Sequence, residues 1–194
     1  MNHKVTRIVE GRVYLSNGTP LACDAIIPAI PAKALLEILP LPTPDFFAPA
    51  ARLETSLIVN LHVTFDRPVW DLEFACFLES RLQWVFNRTR MLGRPEGERT
   101  RLAISLSGAR DVMAMPDDQV RTLFTEELRR VFDGEVIRMR IVREAQATFV
   151  AGPGSRAFRL PARTPLPYLI MAGEWTDTGW PSTMEGAVRS GRAA

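Results

Sequence analysis

The chain has 194 residues, enough for one good core or two small ones. Its 46% hydrophobic and 24% charged residues describe a globular protein, and a net charge of +2 is too small to argue for a nucleic-acid partner. No apolar run reaches membrane-spanning length, the polar start Met1-Asn2-His3-Lys4 is not a signal peptide, and Cys23 and Cys76 lie far apart without metal-ligand spacing. A reduced, cytoplasmic chain is expected, with no metal site.

Residues 5–27 read as strands around a hairpin, because Asn17-Gly18 is the strongest short turn signal. Ala29 and Pro31 end the returning strand. Pro31 opens a short helix to Leu39 with Leu35, Leu36 and Leu39 on one side. Pro40, Pro42, Pro44 and Pro49 then argue against regular structure, and a domain crossing is expected there. Leu57, Val59, Leu61, Val63 and Phe65 alternate with Ile58, Asn60, His62, Thr64 and Asp66, the pattern of a half-buried strand. Residues 74–78, 83–86 and 102–106 predict three more strands. Pro116, Asp117 and Asp118 open a helix with an apolar stripe of Val120, Leu123, Phe124, Leu128 and Val131. Arg129 and Arg130 suit its C-terminal dipole, and Gly134 stops it. Residues 136–142 and 145–150 are extended again, and Gly152-Pro153-Gly154 leads through a polar loop.

The final stretch carries the chemistry. Residues 168–172 read as a short buried strand ending on Gly173 and an acid, Glu174. A loop with Gly179 and Pro181 follows, then Ser182-Thr183-Met184-Glu185, the pattern of a capping box, with small Gly186 and Ala187 in the first turn of the helix it announces. A carboxylate at a strand end and the open N–H groups of a helix start make a site for a polar ligand.

The string from Ala172 to Gly191 closely resembles the C-terminal flavin-binding segment of the FAD-dependent amine oxidase and phytoene desaturase superfamily. Its Thr176-Asp177-Thr178-Gly179-Trp180-Pro181 loop with Met184-Glu185-Gly186-Ala187 looks most like the squalene-associated desaturase branch, the hydroxysqualene dehydroxylases. So do Ile58-Val59-Asn60-Leu61-His62, Phe65-Asp66-Arg67-Pro68 and Gln83-Trp84-Val85-Phe86-Asn87-Arg88. The resemblance implies FAD as cofactor, with Gly173 and Glu174 at its ribityl or pyrophosphate region and the backbone of Thr183, Met184, Glu185, Gly186 and Ala187 near the flavin ring. It also implies that Ala29 and Pro31 lie near the cofactor; the alternative is a plain strand-to-helix turn. Trp175 and Trp180 either shield the flavin or pack the loop.

The implied fold is α/β plus α+β: part of a Rossmann-like FAD-binding domain (1–44 and 161–194) interleaved with a sheet-plus-helix substrate domain (45–160). No G-x-G-x-x-G occurs, although the superfamily carries that fingerprint near its N-terminus to hold the ADP half of FAD. The expectation is therefore a fragment whose missing N-terminal half is its partner. The implied reaction replaces an allylic hydroxyl of a C30 isoprenoid by hydrogen, giving squalene, with peripheral contact to the inner membrane. Trp84 and Phe86, together with the strand 57–65, are candidates to line an apolar tunnel, the alternative being sheet core. His62, on the polar face of its strand, is a candidate proton donor, the alternative being a structural role. Arg88 with Asn87, and Asp66 with Arg67, are candidates to orient a leaving group, or are solvated strand-end pairs. Two other readings stand beside this one: another flavin amine oxidase or carotenoid desaturase, and a non-catalytic stand-alone domain.

Overall fold

A computed structural model describes residues 3–93, 97 and 99–194; Met1 and Asn2 of the polar start lie outside the described residues. The chain forms two compact units, Met1–Thr55 with Thr148–Ala194, and Ser56–Ala147. The boundaries expected after 44 and 160 fall instead after 55 and 147, because Phe47, Ala50, Phe149 and Leu160 are buried in the core of the first unit.

The first unit opens with an antiparallel meander of β1 (Val5–Val9), β2 (Arg12–Leu15) and β3 (Pro20–Ala22). The Asn17-Gly18 turn forms for local reasons. Gly18 takes φ +84° and donates its N–H to the Leu15 carbonyl at 2.9 Å, while Asn17 Oδ1 accepts from Thr19 N–H at 3.1 Å. Residues 26–29 and 169–172 then run parallel: Ile26 N–H donates to Tyr168 O, and Ile170 N–H to Ile26 O. Met171 N–H donates to Ala162 O on the other side. The expected strand 168–172 is thus a set of isolated bridges, since Pro28 has no N–H with which to extend the ladder.

Helix α1 (Ala32–Leu36) starts after Pro31 as expected but ends before Leu39. The proline-rich stretch that follows was expected to be irregular. It contains a 3-10 helix, Asp45–Arg52, whose Phe47 and Ala50, three apart and so on one side, are buried. Pro44 immediately before it, at φ −60°, is preset for a helix entry. With Ile8, Leu35, Leu169, Met171 and Trp175 these residues make the first core.

The second unit is built on a sheet of β4 (Thr55–Phe65), β5 (Phe74–Cys76), β6 (Trp84–Asn87), β7 (Arg101–Ser107) and β8 (Val136–Phe149), in the order β5-β6-β7-β4-β8. The two extended runs expected at 136–150 are one strand. Two short helices, α2 (Arg88–Met91) and α3 (Arg110–Ala114), were not foreseen. The long helix, α4 (Asp117–Val131), has the expected acidic start and basic end. Its stop comes earlier than Gly134, because Phe132 turns to extended backbone and packs edge-on to Phe65 at 5.7 Å. Val131, counted in the apolar stripe, is exposed, whereas Val120, Phe124 and Leu128 are fully buried against Val59, Leu61, Val63 and Phe65. Each such side chain contributes about 1.5–3 kcal/mol by leaving water.

Register divides the sheet into two faces. Val85, Ile104 and Leu61 align across β6, β7 and β4 on the core face. One residue along, Phe74, Phe86, Ala103 and His62 form a row across four strands on the opposite face, and Cys76, Trp84, Ser105 and Asn60 form the next.

Candidate functional site

The C-terminal segment of the first unit is held by a dense local network. Gly173 takes φ +145°, and a Cβ there would meet Trp175 Nε1 at 2.7 Å, so this corner requires glycine. Its N–H donates to Ser190 Oγ (2.8 Å), tying the strand end to α5 (Met184–Ala193), and Ser190 Oγ donates to Ala187 O (2.6 Å). Trp175 is 2% exposed and donates Nε1–H to Ile30 O at 2.9 Å, so of its two readings the structure selects packing. That bond also brings the Ala29–Pro31 turn beside the Gly173 corner. Trp180 is exposed, with the Arg189 guanidinium 4.0 Å from its ring centroid.

The capping box does not form. Thr183, not Ser182, is the N-cap: its Oγ1 accepts from Gly186 N–H at 3.2 Å, and its carbonyl accepts from Ala187 N–H at 3.0 Å. Ser182 instead pairs its hydroxyl with that of Thr148, and Glu185 bonds Arg189 one turn on at 2.9 Å. The frame shifts by one because Pro181 lies close over the helix start. A Cβ on Gly186 would sit 2.6 Å from the Pro181 carbonyl oxygen, so the small residue at 186 answers to the chain itself.

These residues fit a flavin in donor chemistry. The Glu174 carboxylate is half-buried and takes no hydrogen bond or ion pair among the described residues. Met184 and Glu185 N–H, the first two of the ten-residue helix, likewise have no partner among the described residues. A free acid and a bare helix start are thus available to ribityl hydroxyls and to a partially negative ring edge.

Arg159 was missed. Its guanidinium donates to the carbonyls of Glu174 (2.8 Å), Trp175 (3.4 Å), Thr176 (2.6 Å) and Trp180 (2.7 Å) and reaches Thr178 Oγ1 at 3.5 Å. Burial pulls its pKa below the ordinary guanidinium value, and Arg156 acts in the same direction; Asp177 and Glu174 oppose them. No spacing marks this arginine among the many in the chain. Ser190 was missed for the same reason.

In the second unit Trp84 and Phe86 stack at 6.2 Å and 19°, with Phe74 beside both, on the face away from the core. His62 lies on that face in the row of Phe86, two strands away, or about 10 Å. The odd residues from Leu57 to Phe65 do not share it: Val59, Leu61, Val63 and Phe65 are plain core. Arg88 stands exposed at the start of α2, off the sheet. Its expected companion Asn87 is 1% exposed and engaged in the fold, donating to Trp70 O (2.7 Å) and accepting from Arg90 N–H (3.2 Å). Asp66 and Arg67 are structural ties to Glu135 N–H and Asp133.

The pattern of the flavin containing amine oxidoreductases matches residues 1–194. The chain belongs to that family. It is 32% identical over 174 residues to a hydroxysqualene dehydroxylase of Sinorhizobium fredii, covering 88% of this chain and 37% of that protein. It is 25% identical over 186 residues to a 15-cis-phytoene desaturase of Synechococcus elongatus, covering 89% and 39%. Among solved structures, cyclohexylamine oxidase from Brevibacterium oxydans superposes with a TM-score of 0.78 over 98% of this chain and 46% of that one, at 19% identity. The fold is therefore that of the FAD-dependent amine oxidases, and the chain spans less than half the length of these relatives. Among the described residues no helix is long and apolar enough to cross a membrane.

Proposed function

We propose that this chain is the flavin-facing and substrate-facing part of an FAD-dependent oxidoreductase that converts hydroxysqualene to squalene. The observation that carries the reading is the occurrence, in one segment, of the Glu174 carboxylate and the Met184 and Glu185 N–H groups, none of them partnered among the described residues. The likeness to hydroxysqualene dehydroxylases supports the substrate.

In this reading Gly173 and Glu174 hold the ribityl or pyrophosphate region, and Thr183, Met184, Glu185, Gly186 and Ala187 present the helix start to the ring. When bound, the reduced flavin supplies the hydride that replaces the allylic hydroxyl. Phe74, Trp84 and Phe86 offer the hydrocarbon a wide apolar surface that excludes water. Within the second unit, His62 on the open face of the sheet and Arg88 at the start of α2 are the polar groups proposed to meet the hydroxylated end of the substrate. The ADP half of the cofactor then falls to a portion of the enzyme bearing the glycine fingerprint, which partners this chain. A C30 hydrocarbon dissolves in membranes, which favours a cytoplasmic enzyme in peripheral contact with the inner membrane.

A second reading, carotenoid desaturation, draws on the phytoene desaturase relatives. Product analysis separates the two. The protein expressed from its own locus, given FAD and a reductant without oxygen, is expected to turn hydroxysqualene into squalene. In a parallel assay with an added quinone as electron acceptor in place of the reductant, conversion of phytoene to a more unsaturated product selects the second reading. Neither conversion, with no flavin bound, overturns both.

A further inference from the structure

Glu174 and the start of α5 are separated by nine residues of irregular backbone, yet the proposed site needs both at once. Few backbone bonds order this loop: Thr176 N–H to Gly173 O, Asp177 N–H to Leu160 O and Thr178 N–H to Thr176 O. Among the described residues the carbonyls of Glu174, Trp175 and Trp180 accept from one group alone, the Arg159 guanidinium. That group spans the loop from its first carbonyl to its seventh and rests against the Phe149 ring, 5.5 Å from the centroid. Arg189 holds the far end by covering the Trp180 indole.

We propose that Arg159 is a positioning residue: it fixes the backbone between Glu174 and α5 so that the carboxylate and the Met184 and Glu185 N–H groups face a cofactor together. The inference rests on the reading of residues 173–187 as the flavin-facing segment. Only a planar fork does this work. An ammonium in its place has three donors from one nitrogen and cannot reach carbonyls spread over seven residues. The adjoining cleft, about 270 Å³ and lined by Phe149, Arg159, Trp180 and Ser182, is smaller than the roughly 300–1,000 Å³ of ordinary ligand sites. With its donors already engaged on backbone carbonyls, Arg159 is placed to order the loop.

Hydrogen exchange on the 194-residue chain tests this, comparing wild type with Arg159→Ala and Arg159→Lys. The hydrogen-bonded loop amides, those of Thr176, Asp177, Thr178 and Trp180, are expected to exchange at least about tenfold faster in both variants, with β1, β2 and α1 unchanged. Guanidinium chloride at a sub-denaturing concentration should restore slow exchange in Arg159→Ala and leave wild type unaltered, a rescue that a mere packing role does not give. Unchanged exchange of these four amides, or uniformly fast exchange through the first unit in both variants, overturns the proposal. FAD titration of the same variants in the protein expressed from its own locus, which carries the glycine fingerprint under that reading, separates the two readings. Loss of affinity that tracks loop exchange supports both, whereas local exchange as expected with no FAD uptake in wild type leaves Arg159 as the loop's organiser and removes the cofactor reading.

Discussion

Gly186 and Gly191 lie on the same helix, five residues apart, and their replacement by alanine should have opposite signs. A Cβ at 186 meets the Pro181 carbonyl oxygen at 2.6 Å and its carbon at 3.7 Å, whereas one at 191 meets nothing within 4 Å. Both variants gain the helical preference of alanine over glycine, up to about 1 kcal/mol and less near the helix end. Only Gly186→Ala must push a backbone carbonyl away from the helix, an overpacking cost of about 1–3 kcal/mol. The difference between the variants therefore isolates the clash. Gly191→Ala should be neutral to slightly stabilising, and Gly186→Ala less stable than it by about 1–3 kcal/mol. In a chain of this length that is a gap of roughly 2–4 °C in Tm for each kcal/mol. Urea melts of the free chain, read for a midpoint change at constant slope, measure it without any cofactor. Gly186→Ala as stable as Gly191→Ala would refute the close approach of Pro181 and, with it, the account of why the helix starts at Met184.

Other substitutions probe separate links. Thr183→Ala should cost about 1 kcal/mol as loss of a true N-cap, and Glu185→Ala only about 0.3–0.5 kcal/mol as loss of an exposed i,i+4 pair; equal losses in urea melts would reinstate the capping box. Glu174→Ala in the FAD-binding protein should weaken flavin affinity roughly 10- to 150-fold, the equivalent of one charge-assisted bond, and unchanged titration removes Glu174 from the site. The Arg81 side chain, bonded at 2.9 Å, holds the Asp111 carboxyl below its ordinary 3.8, so this pair's small contribution is present above that pH and is lost as pH falls through the lowered value. In Arg81→Ala the NMR-detected titration of Asp111 should move up toward 3.8, and an unmoved curve contradicts the pairing.

Much of the fold was legible because local pattern and burial agree. The alternation from Leu57 to Phe65 and the stripe of Val120, Phe124 and Leu128 report one buried face each, and the Asn17-Gly18 turn needs only its own two residues. The resemblance of residues 172–191 pointed to the family for the same reason: a sharp glycine corner, an acid and a small-residue helix start are local requirements. What sequence alone could not decide were the choices made by distant partners. Whether Ser182 or Thr183 caps α5 depends on Pro181 lying over Gly186 and on the hydroxyl of Thr148, thirty-four residues away. Whether residues 45–55 and 148–160 join the first or the second unit depends on where Phe47 and Phe149 find a core. Arg159 carries no signal in its own neighbourhood, because its role consists of four carbonyls fifteen to twenty-one positions further on. Periodicity and turn chemistry are written within a few residues, whereas hydrogen-bond partners and shared cores exist only once the chain has folded back on itself.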